Sequence, residues 1–200
     1  NKIGGLSFLN DAAEKGARIF VQCRVDRILR DNNTNKVTGV ACTIDNQRKL
    51  IVNARHCVIV AAGSLQTPCL LQKSGIRNPH IGRHLSLHPV AGVYGVTKKP
   101  IHAIRGAPMT TVCNEFSNVN MPYGAKIEIP VACPALAAAA NTWGSPTRFG
   151  QILDKYSSIL PVIFLQRDHG EGRVRQNADG SLHITYKLDA RDCASLLKAT

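Results

Sequence analysis

Residues 56–89 read HCVIVAAGSLQTPCLLQKSGIRNPHIGRHLSLHP. The run from Cys57 to Gly63 is apolar and does not alternate, which suits a strand buried on both faces, as in a parallel sheet. It ends in the small-residue turn Ala61-Ala62-Gly63. A helix is expected next: Thr67 can cap it, Pro68 suits its first turn, Leu70 and Leu71 supply an apolar face, and Gly75 ends it. Small residues beyond a strand end let a backbone approach a ligand with no side chain in the way. The helix start then offers free N–H groups to a phosphate. A tight turn with no ligand would use the same residues, so the motif alone leaves both readings open.

Upstream, residues 7–15 read as a helix with Ser7 as N-cap, an apolar face of Phe8, Leu9, Ala12 and Ala13, and Gly16 as C-cap. Ala17 to Val21 reads as a short apolar strand continuing into Cys23, Val25, Ile28 and Leu29. Two more short strands follow, at 37–44 and 50–54, separated by polar turns at 30–36 and 45–49. Three short strands joined in this way form a meander, most simply an antiparallel one.

Downstream of Pro89 the texture changes, which places a domain boundary there. VAGVYGV (90–96) is strand-like, 97–125 is loop-rich, and PALAAAANTWGSPTRFGQILDKY (134–156) is helical in patches, broken around Gly144 to Pro146. Residues 159–168 read as a strand. HGEGRVRQNADGSLHITYKL (169–188) reads as a hairpin turning at Asn177-Ala178-Asp179-Gly180, and a helix begins at Ala190. The expected class is α/β (α+β overall): residues 1–89 from one domain that includes the β-meander, and 90–200 from a second, mixed-sheet domain.

The net charge is +12 from 25 Lys and Arg against 13 Asp and Glu. These basic residues are spread along the chain, adjacent only at Arg48-Lys49 and Lys98-Lys99, and aromatics are 5%. That is too few for a base-stacking platform, so no nucleic-acid partner is expected. The seven Cys contain no Cys-x-x-Cys pair. Buried, reduced thiols are the simplest reading, with Cys57 and Cys69 inside apolar runs. No run approaches the ~20 apolar residues of a membrane span. The chain begins with Asn1 and ends within a helical pattern, so a piece of a longer protein is expected.

His84 and His88 are four apart, a metal-ligand spacing on a helix. Pro89 disfavours helix at His88, and no metal site is assigned. His56, His80, His102 and His183 read as surface or turn residues. The charged segment around His169 could suggest acid–base chemistry, but reads more simply as a hairpin end.

Residues 58–76 also resemble the second signature of the glucose-methanol-choline family of flavin oxidoreductases. The resemblance rests on Ala61-Ala62-Gly63, Thr67-Pro68, Leu70-Leu71 and Ser74-Gly75-Ile76. RNPHIGRHLSLHPV (77–90) is similar to the long-chain (fatty) alcohol oxidase branch, where the segment typically reads Arg-Asn-Pro-x-Ile-Gly-x-Asn-Leu-x-Leu-His-Pro. FLQRDHGEGRV and YKLDARD resemble that branch too.

The resemblance implies FAD bound in a Rossmann-like domain. It implies that the residue matching Val25 meets the adenine edge through its backbone, and that Ala61, Ala62 and Gly63 line the cofactor path. It further implies a long-chain alcohol as substrate, oxygen as acceptor, and membrane association of the full-length protein. Two departures stand out. The family's Gly-x-Gly-x-x-Gly fingerprint is missing, with only Ile3-Gly4-Gly5 even Gly-rich, and no catalytic His motif is found, so no catalytic residue is assigned to this chain. Position 84 is His where the branch has Asn. A nucleotide-binding module without redox chemistry, and a basic scaffold for anionic partners, remain alternatives.

Overall fold

The computed structural model describes residues 4–119, 123–131, 133–140 and 143–200. The chain divides into two units: Asn1–Gly82 with Val174–His183, and Arg83–Arg173 with Ile184–Thr200. The helices are α1 (Gly4–Glu14), α2 (Gly63–Lys73), α3 (Pro134–Ala140), α4 (Pro146–Asp154) and α5 (Ala190–Ala199). The strands are β1 (Cys23–Arg30), β2 (Val37–Ile44), β3 (Arg48–Asn53), β4 (Arg83–Leu85), β5 (Val90–Val96), β6 (Val112–Cys113), β7 (Gly124–Glu128), β8 (Ile159–Arg167), β9 (Gly172–Gln176) and β10 (Leu182–Tyr186). Helices and sheets are both present, as the α/β expectation requires. The strand pairs β1–β2, β2–β3, β4–β9, β5–β8, β6–β7 and β7–β8 are antiparallel.

The first unit is built on the expected meander, in the order β1-β2-β3. Helix α2 is fastened to β1 at its C-terminal end. Ser74 Oγ accepts from Ile28 N–H at 2.8 Å and donates to the Leu70 carbonyl at 2.6 Å. Arg30 Nη2 donates to the Ser74 and Gly75 carbonyls at 3.3 and 3.1 Å. Gly75, at φ +70°, closes the helix: its N–H reaches the Gln72 carbonyl and that of Ile76 reaches Leu71. Gly16 does the same for α1 at φ +90°, with bonds to Ala13 and from Ala17 to Ala12. This paired pattern after a left-handed residue satisfies carbonyls a helix end would leave open.

Five local expectations are corrected. Helix α1 begins at Gly4, so Ser7 lies inside it and is not its cap. Helix α2 begins at Gly63, so Thr67 is not a cap and Pro68 sits in the helix interior. Its missing N–H leaves the Ser64 carbonyl without its usual partner. Neither 17–21 nor 57–61 forms a strand. Val21 is 78% and Ile59 85% exposed, and Cys57 is exposed while Cys69 is buried. A central strand needs a neighbour along each edge and a layer over each face. Among the described residues neither segment has those neighbours, and an apolar run without a partner has no ladder to join.

The second unit centres on a sheet of order β5-β8-β7-β6. One face carries Ala125 and Phe164, which pack with Leu196 and Ala199 of α5 into the unit's core. The other face alternates with it. Val90 pairs with Leu165, Gly92 with Ile163, and Tyr94 with Pro161, while Lys126 and Glu128 of β7 stand against Leu165 and Ile163. At the sheet's end Gly124 passes so close to a loop that a Cβ there would lie 2.1 Å from the Phe116 carbonyl oxygen. The Ala125 N–H donates to that same oxygen at 3.0 Å.

Gly124→Ala is therefore expected to lower stability by about 3 kcal/mol, read as a fall in the urea midpoint. Gly95→Ala, where a Cβ meets open space, is expected to stay within about 0.5 kcal/mol of the parent. Equal midpoints for the two variants would overturn this reading of the Gly124 approach.

Candidate functional site

In the first unit the residues expected to line a cofactor path lie on two elements. Ala62 is the residue before α2, at φ −81° and ψ 8°, and has no side chain to cap the helix. Gly63 opens the helix at φ +80° with nothing within 4 Å of where a Cβ would be. Ala61 is exposed just ahead of them. The first turn of α2 has no acidic residue. Its leading N–H groups are thus uncapped by side chains and carry the positive end of the helix dipole, the arrangement that receives a phosphate.

Val25 lies in β1 and is partly exposed. A register shift falls between Val25 and Arg27, so Asp26 is an extra residue in the ladder. Such a bulge breaks the pairing locally and re-aims its residues. Asp26 is tied down on its side-chain oxygens: Thr43 Oγ1 donates to it, Lys49 Nζ stands 3.6 Å away, and Arg24 Nε donates at 3.0 Å. The Thr43 bond, opposed by partial burial and aided by Arg24 and Lys49, holds its carboxyl below the usual range. The structure ties Ile28 and Arg30 to Ser74 and Gly75. Val25 and Ala62–Gly63 lie at the opposite end of each element from that joint.

The second unit holds a polar centre that the sequence reading missed. Asp192, on the first turn of α5, is 0% exposed. Its oxygens accept from Gln166 Nε2 (3.0 Å), His169 N–H (2.9 Å), His169 Nδ1 (2.9 Å) and Gly170 N–H (3.0 Å). The His169 ring stacks on Tyr123 with centroids 3.6 Å apart. His169 is therefore not a free hairpin end: it is clamped between a buried carboxylate and an aromatic ring. The bond to Asp192 sets its tautomer, with Nδ1 as donor. Next to it Asp168 Oδ2 accepts from Leu87 N–H at 3.1 Å and from Tyr186 Oη at 2.5 Å. Burial, then this bond to Asp168, push the Tyr186 hydroxyl well above its ordinary pKa.

Sequence signals for this centre existed. Asp189 caps α5, accepting from Arg191 N–H at 2.8 Å. The Arg191 side chain, then its backbone, draw the Asp189 carboxyl down to about 2. An acidic residue three places after a cap is a recognisable helix start. What the pattern cannot supply is that Asp192 turns inward to a residue 23 positions upstream.

On the open face of the β5-β8-β7-β6 sheet, a groove of about 880 Å³ is lined by Leu165, Arg167, Lys126, Glu128, His88 and Asp168 with neighbouring loop residues. The apolar row Val90, Tyr94, Pro161, Ile163 and Leu165 runs along the same face. His84 and His88 are not on a helix: His84 is in β4 and His88 in the segment after it. His84 adopts φ +58°, left-handed backbone that Asn also tolerates.

Residues 4–90 match the family model for GMC oxidoreductases. The chain is similar along most of its length to long-chain-alcohol oxidase FAO1 of Arabidopsis thaliana, 31% identical over 93% of this chain and 26% of the relative. Long-chain-alcohol oxidase FAO4A of the same plant is 30% identical, covering 89% of this chain and 25% of the relative. A GMC-type oxidoreductase of Mycobacterium tuberculosis is 30% identical, covering 96% and 29%. The chain thus spans about a quarter of the length of the curated relatives it matches.

The Asp192 carboxyl makes a testable contribution to stability. Burial alone would raise its pKa, but the bonds from His169, Gly170 and Gln166 outweigh burial and hold it below the ordinary value. A depressed native pKa adds stability above the unfolded value of about 4, which is lost as pH falls through the native one. Asp192→Asn is expected to cost about 3 kcal/mol at neutral pH and to flatten the acid limb of the stability–pH curve. An unchanged acid limb in urea titrations across pH would refute this.

Proposed function

We propose that this chain is part of an FAD-dependent oxidoreductase that acts on the CH–OH group of long-chain alcohols and gives aldehydes with oxygen as acceptor. The observation that carries the reading is the match to long-chain-alcohol oxidases across 93% of the chain, both units included. The family match to residues 4–90 covers the first unit up to Gly82 and only the opening residues of the second.

The residues present fit the cofactor. FAD carries a pyrophosphate, and the start of α2 offers uncapped N–H groups with open space at Gly63. Ala61 and Ala62 add no bulk to that approach. The bulge beside Val25 is where strand backbone can meet a flat ring system by hydrogen bonds. Bound FAD would supply the hydride acceptor, chemistry that protein side chains lack. In the second unit the apolar row from Val90 to Leu165 suits an alkyl chain, with Lys126 and Arg167 at the polar end of the same face. Over the whole reaction one alcohol and one oxygen molecule give one aldehyde and one hydrogen peroxide.

The exposed apolar segments 17–21 and 57–61 support the reading that the chain works inside a longer protein. Paired with further strands they would join the parallel sheet of a Rossmann-like domain, and Gly63 would then stand at a strand's carboxyl end, where such sheets bind nucleotides. Membrane association remains part of the proposal. Among the described residues no helix is long and apolar enough to cross a membrane, so such association would be made by other means or by other segments.

The test uses a longer protein that carries this chain. It is expected to purify with flavin absorbance near about 450 nm and to release hydrogen peroxide when given a long-chain primary alcohol. Gly63→Val, which forces a β-branched residue to positive φ at the phosphate approach, is expected to lower the flavin-to-protein ratio while the protein remains folded. Purified protein that is colourless and takes up no FAD would overturn the cofactor assignment. Flavin without alcohol-dependent peroxide would overturn the substrate and acceptor.

A further inference from the structure

In the second unit the pairing of β4 with β9 sets Arg83 directly opposite Arg173. Directly opposed residues of an antiparallel pair have Cβ atoms about 5 Å apart on one face, and like charges there destabilise the pair. Among the described residues neither guanidinium forms an ion pair with a carboxylate. Both instead line a groove of about 410 Å³, and Lys187 adds a third cation just beyond β10. The carboxylate lining this groove is Glu171, whose Oε2 is already held 2.8 Å from His84 Nδ1. Thr185 lines the same groove.

We propose that this groove is a binding site for a phosphate monoester group, held by Arg83, Arg173 and Lys187. The charge count selects the ligand class. Three cations against one carboxylate leave two positive charges, and a phosphate monoester is close to a dianion at neutral pH. A carboxylate ligand would neutralise only one of the opposed guanidiniums. Two guanidinium forks side by side match the tetrahedral array of phosphate oxygens, each able to bond two of them. Bound phosphate also converts the repulsion across the Arg83–Arg173 pair into two attractions to a shared anion. The chain's net charge of +12 favours approach of any such anion, and the register at β4–β9 gives it one place to dock.

Two sources share this chemistry: free phosphate monoesters and the headgroup of phosphatidate in a membrane. Binding is measured for the whole chain with inorganic phosphate, by calorimetry and by the thermal midpoint at fixed ionic strength. It is measured in parallel with phosphatidylcholine vesicles, with and without phosphatidate. Phosphate is expected to raise the midpoint where chloride does not, and Arg83→Gln with Arg173→Gln is expected to weaken phosphate binding by about tenfold or more. Vesicle binding that needs phosphatidate and is lost in the same double variant assigns the site to a headgroup; loss of inorganic phosphate binding alone assigns it to free phosphate. The double variant relieves a like-charge pair, so its own midpoint without phosphate is expected to be no lower than the parent's, and Lys187→Gln provides a variant outside the strand pair. Binding that is unchanged in these variants, or no binding to either probe, overturns the site.

Discussion

The second unit depends on how one buried charge is satisfied. A carboxylate removed from water needs donors at hydrogen-bond distance, or its burial costs several kcal/mol. Asp192 obtains four, and three of them come from two consecutive residues of the turn after β8. The fourth comes from Gln166, itself 0% exposed, at the end of β8. One side chain on α5 therefore fixes the path of the chain out of β8. That path presents Asp168 to Leu87 and Tyr186, and so sets where the segment from β4 to β5 and the end of β10 lie within the unit. The close approaches at Gly170 and Gly172 follow from the same constraint. A Cβ at either would lie 2.6 Å from the Tyr186 hydroxyl or 2.3 Å from the Thr185 carbonyl oxygen. The Arg-Asp-His-Gly-Glu-Gly run reads as loosely charged loop, yet its Asp, its His and both its Gly are each determined by a contact.

What the sequence made legible was local. The meander, the β8 strand, the hairpin turning at Asn177–Gly180 and the two glycine helix ends are each written within a few residues, by alternation or by a left-handed position. The run from Cys57 to Gly63 was legible only in part. Its apolar composition predicts burial, yet Ile59 is 85% exposed, because composition cannot supply the neighbouring segment that burial needs. The turn chemistry at Ala61–Gly63 survived the loss of the strand before it, because a small residue at positive φ is a local property. Thr67-Pro68 misled for the opposite reason. Both residues favour a helix start, yet the helix extends four residues further back and takes Pro68 into its interior.

The site was legible unevenly for the same physical reason. Ala61, Ala62 and Gly63 stand out as candidates because what they offer is the lack of a side chain, which a sequence states directly. Val25 enters only through resemblance, since the backbone contact proposed for it would leave no mark on residue type. The bulge at Asp26 is the structural feature that singles this position out, and the Asp26–Thr43–Lys49 bonds across β1, β2 and β3 hold it in place. His169 and Asp192 were invisible as a pair because 23 residues and one hairpin separate them.

The two units of charge chemistry in the second unit are arranged with opposite logic. Every oxygen of Asp192 is matched inside the protein, so the anion is spent on structure and has nothing left for a ligand. Arg83 and Arg173 are brought together by the register of the β4–β9 ladder. The backbone decides their spacing, and no carboxylate is placed to relieve it. His84 occupies the nearest one, Glu171, from a left-handed backbone position that the strand's irregular register creates. A repulsion that the fold creates and does not cancel lowers stability in the free protein and raises affinity for whatever anion cancels it. The same register shift that turns His84 toward Glu171 therefore leaves the opposed arginines open to a ligand from outside.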